Sequence, residues 1–174
     1  MLAQKQEELF KQWLGEHKKL ILKIVRACAF SLQDQDDLFQ EILLQLWSSI
    51  PGFDRKARET TWIYRVALNT ALVWKRTAKR ARQKYQRFII DINQTSDAQQ
   101  GTSDSSNQQI LDQLYAAIRK LPKIEGSIIL MHLDGLSYNE MAEILGISTN
   151  NVGVKLNRAK KQLSQFLKGL VDEF

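Results

Sequence analysis

Cysteine, proline and histidine are nearly missing from these 174 residues, and what they would have built is excluded with them. Cys28 stands alone and can form no internal disulfide, so a sulfur-stapled fold is ruled out and a reducing compartment is expected. The two histidines, His17 and His132, lie far apart without cysteine or histidine neighbours at ligand spacing, so no metal site is expected. Only Pro51 and Pro122 interrupt the helical patterning, and both fall where helices are expected to stop. No apolar run approaches the ~18 residues of a membrane span, and the first residues lack the apolar core of a signal peptide. Direct membrane insertion is therefore not expected, and the cytoplasm is the expected location. A glycine-rich phosphate loop, a nucleophile elbow and an acidic pair set for acid/base work are also lacking. The expectation is a binding protein with no catalytic residues and no cofactor.

What is abundant is basic charge, and its placement matters more than its total. The chain carries 25 Lys and Arg against 19 Asp and Glu, a net charge of +6. From Lys75 to Arg87 seven cations (Lys75, Arg76, Lys79, Arg80, Arg82, Lys84 and Arg87) occur with no acid among them. A second acid-free run holds Lys155, Arg158, Lys160, Lys161 and Lys168. Two such runs fit two contacts with a polyanion, although either alone also fits the solvated side of a helix.

The hydrophobic pattern is helical throughout, and no strand pattern competes. Leu9, Phe10, Trp13, Leu14, Leu20, Ile21, Ile24, Val25 and Cys28 trace the buried stripe of a long first helix. Ser31 ahead of Asp34, Asp36 and Asp37 marks the start of a second, which runs to about Ile50 before Pro51 and Gly52. Its stripe is Leu38, Phe39, Ile42, Leu43, Leu46 and Ile50, with Leu44 and Trp47 at the margin. A loop leads to a third long helix from about Thr60, whose expected inner side is Trp62, Val66, Ala67, Thr70, Val73 and Trp74. Residues 93 to 109 contain one alanine as their sole apolar residue and cannot repay the entropy of ordering. Beyond them Ile110, Leu111, Leu114, Ile118 and Leu121 form a short helix, and Ile124 to Leu133 another.

The segment Ser137 to Leu163 carries the sharpest signal. Ser137 with Glu140 reads as a capping box, Ser148 as a second cap and Gly146 as a tight turn, while Ala142 permits close approach of two helices. Val152, Leu145 and Ile147 fill the angle between them. That spacing is a helix-turn-helix whose last helix can enter a DNA major groove. An all-α fold follows: a helical domain over 1–92, a flexible polar linker over 93–109, and a helix-turn-helix domain over 110–174.

Two blocks carry a family resemblance. Asp37-Leu38-Phe39-Gln40-Glu41, then Trp47, then Thr61-Trp62-Ile63-Tyr64-Arg65-Val66-Ala67-Leu68-Asn69-Thr70-Ala71 closely resemble region 2 of bacterial RNA polymerase sigma factors. Leu121-Pro122, Gly135 to Ser148, and Val152 to Leu163 resemble their region 4. With only these two regions and a short linker, the chain is similar to the extracytoplasmic-function group. The resemblance implies a protein that binds core RNA polymerase and gives it promoter specificity. By the same resemblance, Asp37, Gln40, Glu41, Leu44 and Trp47 dock on polymerase. The loop residues Phe53, Asp54, Arg55, Lys56 and Arg58, with Trp62, Arg65, Asn69, Lys75, Arg76, Lys79 and Arg80, would handle the separated minus-ten strand. Trp62 also has the spacing of a core residue. Thr149, Asn150, Asn151, Lys155, Arg158 and Lys161 would read the minus-thirty-five duplex. An anti-sigma factor is implied as a partner, and Asp97 and Asp104 of the linker would lie near nascent RNA. Gly153 departs from the family pattern, where a polar or basic residue is usual, and Glu125-Gly126 occupies a stretch where Arg is common. Two other classes remain: a stand-alone regulator that binds DNA through its last helix, and a nucleic-acid enzyme with an appended helix-turn-helix, whose catalytic cluster is not found.

Overall fold

The computed structural model describes residues 2–89 and 106–171, with side chains over 4–77 and 108–168. Seven α-helices account for nearly all of the described residues, and no strand occurs among them.

The first module is a bundle of α1 (Leu2–Cys28), α2 (Leu32–Ser49) and α3 (Glu59–Ile89). A three-residue connection turns α1 into α2, whose start is fixed by the Ser31 hydroxyl accepting the Asp34 N–H at 3.1 Å. At the other end α2 tightens into a 3-10 turn, Ile50–Gly52, where Pro51 sits in the first turn and cannot continue an α-helix. The core of this bundle is Trp13, Ile21 and Ile24 against Leu38, Ile42 and Leu46 and against Ile63 and Ala67, all almost fully buried. Aromatic edges close its end: Phe53 stands T-shaped on Trp13 at 5.3 Å and tilted on Trp62 at 5.5 Å. Trp62 Nε1 donates to Ser49 Oγ at 3.1 Å.

The inner face of α3 differs from the expected one. Ile63, Tyr64, Ala67, Leu68 and Ala71 are buried, whereas Trp62, Val66, Thr70 and Trp74 are only half-buried and Val73 is 49% exposed. The reason is that α3 is packed on two sides, by α1 and α2 and by the second module, so the buried arc is centred on residues that one amphipathic stripe would not select.

The second module comprises α4 (Ser106–Lys120), α5 (Lys123–Leu133), α6 (Tyr138–Leu145) and α7 (Thr149–Val171). Helix α4 starts inside the segment expected to be linker, where Ser106 and Asn107 are cap-type residues and Gln108 bonds forward to Asp112 at 3.2 Å. The expected site residues Asp97 and Asp104 lie outside the described residues. Helix α5 is apolar on nearly every face, with all residues from Glu125 to Met131 buried, because α4, α6, α7 and α1 all pack on it. Gly126 permits its approach to α4: a Cβ there would stand 3.4 Å from the Ile118 carbonyl oxygen.

The helix-turn-helix is built as the sequence indicates. The Ser137 hydroxyl accepts the Glu140 N–H at 3.2 Å, and the Glu140 carboxylate accepts the Ser137 N–H at 2.8 Å, completing the capping box. Gly146 adopts φ 66°, the left-handed conformation that ends α6, and the Ser148 hydroxyl accepts the Asn151 N–H at 3.2 Å. Val152, Leu156 and Ala159 are fully buried against Ile128, Met131 and Met141.

Two outcomes follow. A Cβ at Gly153 would meet the Tyr138 ring at 3.4 Å, an ordinary contact, so Gly153→Ala should stabilise the chain by up to about 1 kcal/mol in urea unfolding through helix propensity. No gain would mean that the Tyr138 ring cannot yield. The Ser137 backbone N–H and hydroxyl, and then Arg58, hold the Glu140 carboxyl below its ordinary 4.5 against a small burial penalty. A lowered folded-state pKa stabilises above the ordinary value and is lost as pH falls through the lowered one. Thermal melts should therefore show the wild type's advantage over Glu140→Gln constant at neutral pH and shrinking below about pH 4.5. A pH-independent difference would count against it.

Candidate nucleic-acid and polymerase interfaces

Three solvent-facing surfaces carry the residues singled out from the sequence. On α2, Asp37, Gln40, Leu44 and Trp47 are exposed and Glu41 is half-buried, all along one side of the helix at spacings of three and four. Leu44 is 61% exposed, an unusual position for leucine on an otherwise polar face. Trp47 is held upright by Phe10, edge to face at 5.3 Å, and by Gln6, whose Nε2 donates to the Trp47 carbonyl at 2.9 Å. Glu41 accepts from Gln45 at 3.0 Å one turn on. Leu44 and Trp47 thus form an exposed apolar spot flanked by Asp37, Gln40, Glu41 and Gln45.

The second surface is the loop before α3 and the start of that helix. Here the chain divides the sequence-derived residues into two sets. Phe53 and Trp62 point into the bundle and stack on one another, so they support the loop from beneath. Asp54, Arg55, Lys56 and Arg58 are exposed above them. Asp54 organises the tip: its Oδ1 accepts the Lys56 N–H at 3.1 Å and its Oδ2 pairs with Lys56 Nζ at 3.0 Å, and together these lower its pKa. Arg55 takes φ 61°, a left-handed backbone uncommon outside glycine, asparagine and aspartate. Arg65 and Asn69, one turn apart, lie on the side of α3 continuous with the loop, and Lys75 and Arg76 follow further along. Lys79 and Arg80 are on the same helix, but their side chains lie outside the described residues.

The third surface is the outer side of α7. Thr149, Asn150, Asn151, Arg158 and Lys161 are exposed and Lys155 is half-buried, while the opposite side is buried through Val152, Leu156 and Ala159. Glu125, buried beneath the helix at 3% exposure, lies 3.9 Å from the Arg158 guanidinium and biases that side chain towards its root.

Sequence reasoning missed the residues that join the modules. Asp134, between α5 and α6, accepts from Lys23 of α1 and from the Tyr64 hydroxyl of α3; Tyr64 is fully buried and also lies 3.4 Å from the Leu130 carbonyl oxygen. Burial, and then the Asp134 carboxylate, push the Tyr64 phenol well above its ordinary range, so it is a permanent donor. Arg119 of α4 donates to the Arg26 carbonyl at 2.7 Å in the last turn of α1, and Arg26 lies over the Tyr115 ring at 5.3 Å. Two ion pairs reach into the loop surface itself: Arg58 to Glu140 at 2.7 Å and Arg65 to Glu143 at 2.9 Å. A polar residue at a position that breaks the apolar period, such as Lys23 or Tyr64, carried no sign in the sequence of a partner some 70 to 111 residues away.

Among the described residues Glu16, His17 and Glu59 each place a ligand-type atom within 4.8 Å of the others, beside the start of α3. No helix among the described residues is long and apolar enough to cross a membrane.

Comparison with known proteins identifies the family. A family model described as Sigma-70 region 2 matches residues 13–81, and one described as Sigma-70, region 4 matches residues 111–163, together most of the chain and in that order. The chain is similar to the RNA polymerase sigma factor YlaC of Bacillus subtilis, at 28% identity over 91% of this chain and 90% of that protein. It is likewise similar to the ECF RNA polymerase sigma-E factor of Haemophilus influenzae, at 27% identity over 81% of this chain and 78% of that protein. In fold it is similar to the sigma factor RpoE of Bartonella quintana, solved with the anti-sigma factor NepR, with a TM-score of 0.67, 22% identity, and 91% of this chain and 96% of that chain covered. Two matched regions, the relatives and the shared helical architecture lead to one assignment: the chain belongs to the sigma-70 family of RNA polymerase sigma factors, within the extracytoplasmic-function group.

Proposed function

We propose that this chain works as a promoter-specificity subunit whose three exposed surfaces divide the labour, and that it is a binding protein rather than an enzyme, acting in the cytoplasm. As a sigma factor it binds core RNA polymerase and directs transcription initiation at promoters. The observation that carries the residue-level reading is the exposure of Leu44 and Trp47 on an acidic and amide face of α2, separate from both basic surfaces.

In this reading Asp37, Gln40, Glu41, Leu44 and Trp47 dock on polymerase, the apolar pair supplying affinity and the polar ring orientation. Arg55, Lys56, Arg58, Arg65, Asn69, Lys75 and Arg76 hold the minus-ten strand once the duplex opens. Strand opening costs a few kcal/mol, and cationic contacts along the freed strand offset it. Phe53 and Trp62 are supports for that loop rather than surfaces for a base. Thr149, Asn150 and Asn151 meet base edges of the minus-thirty-five duplex, and Lys155, Arg158 and Lys161 its phosphates. Two solved structures similar in fold, RpoE with the anti-sigma factor NepR and CnrH with the cytosolic domain of CnrY, support the proposal that this chain too is held by an anti-sigma factor.

Purified chain added to sigma-free core polymerase and genomic promoter fragments should start transcripts at defined positions. Leu44→Arg should abolish initiation while leaving duplex binding by the free chain unchanged, which a stand-alone regulator would not do. Asn151→Ala should weaken minus-thirty-five recognition by about 1 to 3 kcal/mol without affecting polymerase association. Specific initiation surviving Leu44→Arg would remove the α2 docking face.

A further inference from the structure

The ion pairs between the modules fall on particular residues. Arg58 and Arg65 belong to the proposed minus-ten surface, and their partners, Glu140 and Glu143, lie one turn apart on α6. Two carboxylates at that spacing present negative charge to the same arginines that would otherwise meet successive phosphates. Glu140 also caps its own helix, but among the described residues Arg65 is the one hydrogen-bond or ion-pair partner of Glu143. The capping box therefore does not explain why an acid stands at 143.

The contact is anchored behind these pairs by a largely shielded carboxylate. The Asp134 side chain is 13% exposed, and both side-chain donors it accepts from, Lys23 and Tyr64, belong to the other module. Separating the modules strips this carboxylate of both donors at once and exposes the Tyr64 hydroxyl, so closure at Asp134 and pairing at α6 rise and fall together. The other two surfaces remain free in the same arrangement: Leu44 and Trp47 are exposed, as are Asn150, Asn151, Arg158 and Lys161.

We infer that α6 acts as an internal competitor for the minus-ten strand: in the free chain Glu140 and Glu143 occupy Arg58 and Arg65, locked by Asp134, while the polymerase face and the minus-thirty-five helix stay open. The inference rests on the minus-ten role proposed for Arg65. It makes strand binding conditional on separation of the modules, whereas upstream duplex binding needs no such change. By linkage, single-stranded DNA must open the chain to the extent that opening improves its own binding.

The test uses the full chain with Cys28→Ala, a mixed-sequence single-stranded oligonucleotide and a mixed-sequence duplex, both fluorescent, with no polymerase present. Glu143→Gln should raise affinity for the single strand about two- to fivefold, as expected for an ion pair of this exposure, and leave duplex affinity unchanged. Asp134→Asn should give a gain of about tenfold or more. Spin labels at Gln45 and Lys160 should report a longer distance in the Asp134→Asn chain, and in the parent chain on adding the single strand. Far-UV circular dichroism establishes that each variant retains its helices, and Glu143→Ala provides a second change at an exposed position. Unchanged strand affinity in the Glu143 and Asp134 variants, with Arg65→Ala still lowering it, would overturn the competition while leaving the minus-ten surface standing. If Arg65→Ala in the Asp134→Asn background has no effect on strand affinity, the surface assignment fails and the competition fails with it.

Discussion

Burying a carboxylate is costly unless donors meet it, and Asp134 is met by donors that belong to a different part of the chain. That constraint organises the molecule. Lys23 has to emerge from the otherwise apolar stripe of α1, Tyr64 has to be buried on α3 with its hydroxyl directed across the module boundary, and the turn between α5 and α6 has to meet both. Around this point Tyr115, Arg26 and Arg119 pack the second boundary contact, where the Arg119 guanidinium also satisfies a carbonyl in the last turn of α1. The shared face thus holds the modules together through the buried Tyr64 and the part-buried contacts around Asp134 and Arg119.

Such a face is a specific but moderate glue. Exposed ion pairs such as Arg58 with Glu140 contribute about 0.2 to 1 kcal/mol each. The ion pairs alone are therefore a small part of what holds the modules together, and most of the cost of opening lies with Asp134, Tyr64 and the apolar packing around them. The boundary combines these polar contacts with apolar packing, since the buried core runs without a break from the first module into Tyr115, Ile118, Ile128 and Met131 of the second. A cavity lined by Cys28, Leu72, Lys75 and Arg119 marks the seam between the modules, where burial raises the Cys28 thiol pKa against the pull of the two cations.

Much of the fold was legible because helices announce themselves locally. Ser31, Ser137 with Glu140, Gly146 and Ser148 fixed helix ends through bonds spanning three or four residues, and each formed as read. The stripe of α2 was legible for the same reason. The inner face of α3 was not, since a helix packed on two sides has no single stripe, and Val73 was placed inside on a pattern that the structure resolves the other way. Of the three functional surfaces, the exposed α7 side and the α2 side follow from subtracting the core stripe. The loop surface did not, because whether Phe53 faces solvent depends on Trp13, forty residues earlier in another helix. Asp134, Glu140 and Glu143 could be read locally as turn, cap and surface; their partners required the tertiary fold.

The two departures from the family pattern become intelligible once the packing is known. Gly153 faces the ring of Tyr138, so the position is a helix crossing within the helix-turn-helix and not a gap in the DNA-facing side. Gly126 lies against the Ile118 carbonyl, and its neighbour Glu125 is buried under α7 within reach of Arg158. Here α4 and α5 lie close together and an acid stands beneath α7. The buried acid lies 3.9 Å from the exposed Arg158 guanidinium and leaves it uncovered. The packing of α7 is thereby tied to α5, and α5 in turn runs into Asp134, so the last helix and the module boundary share one structural support.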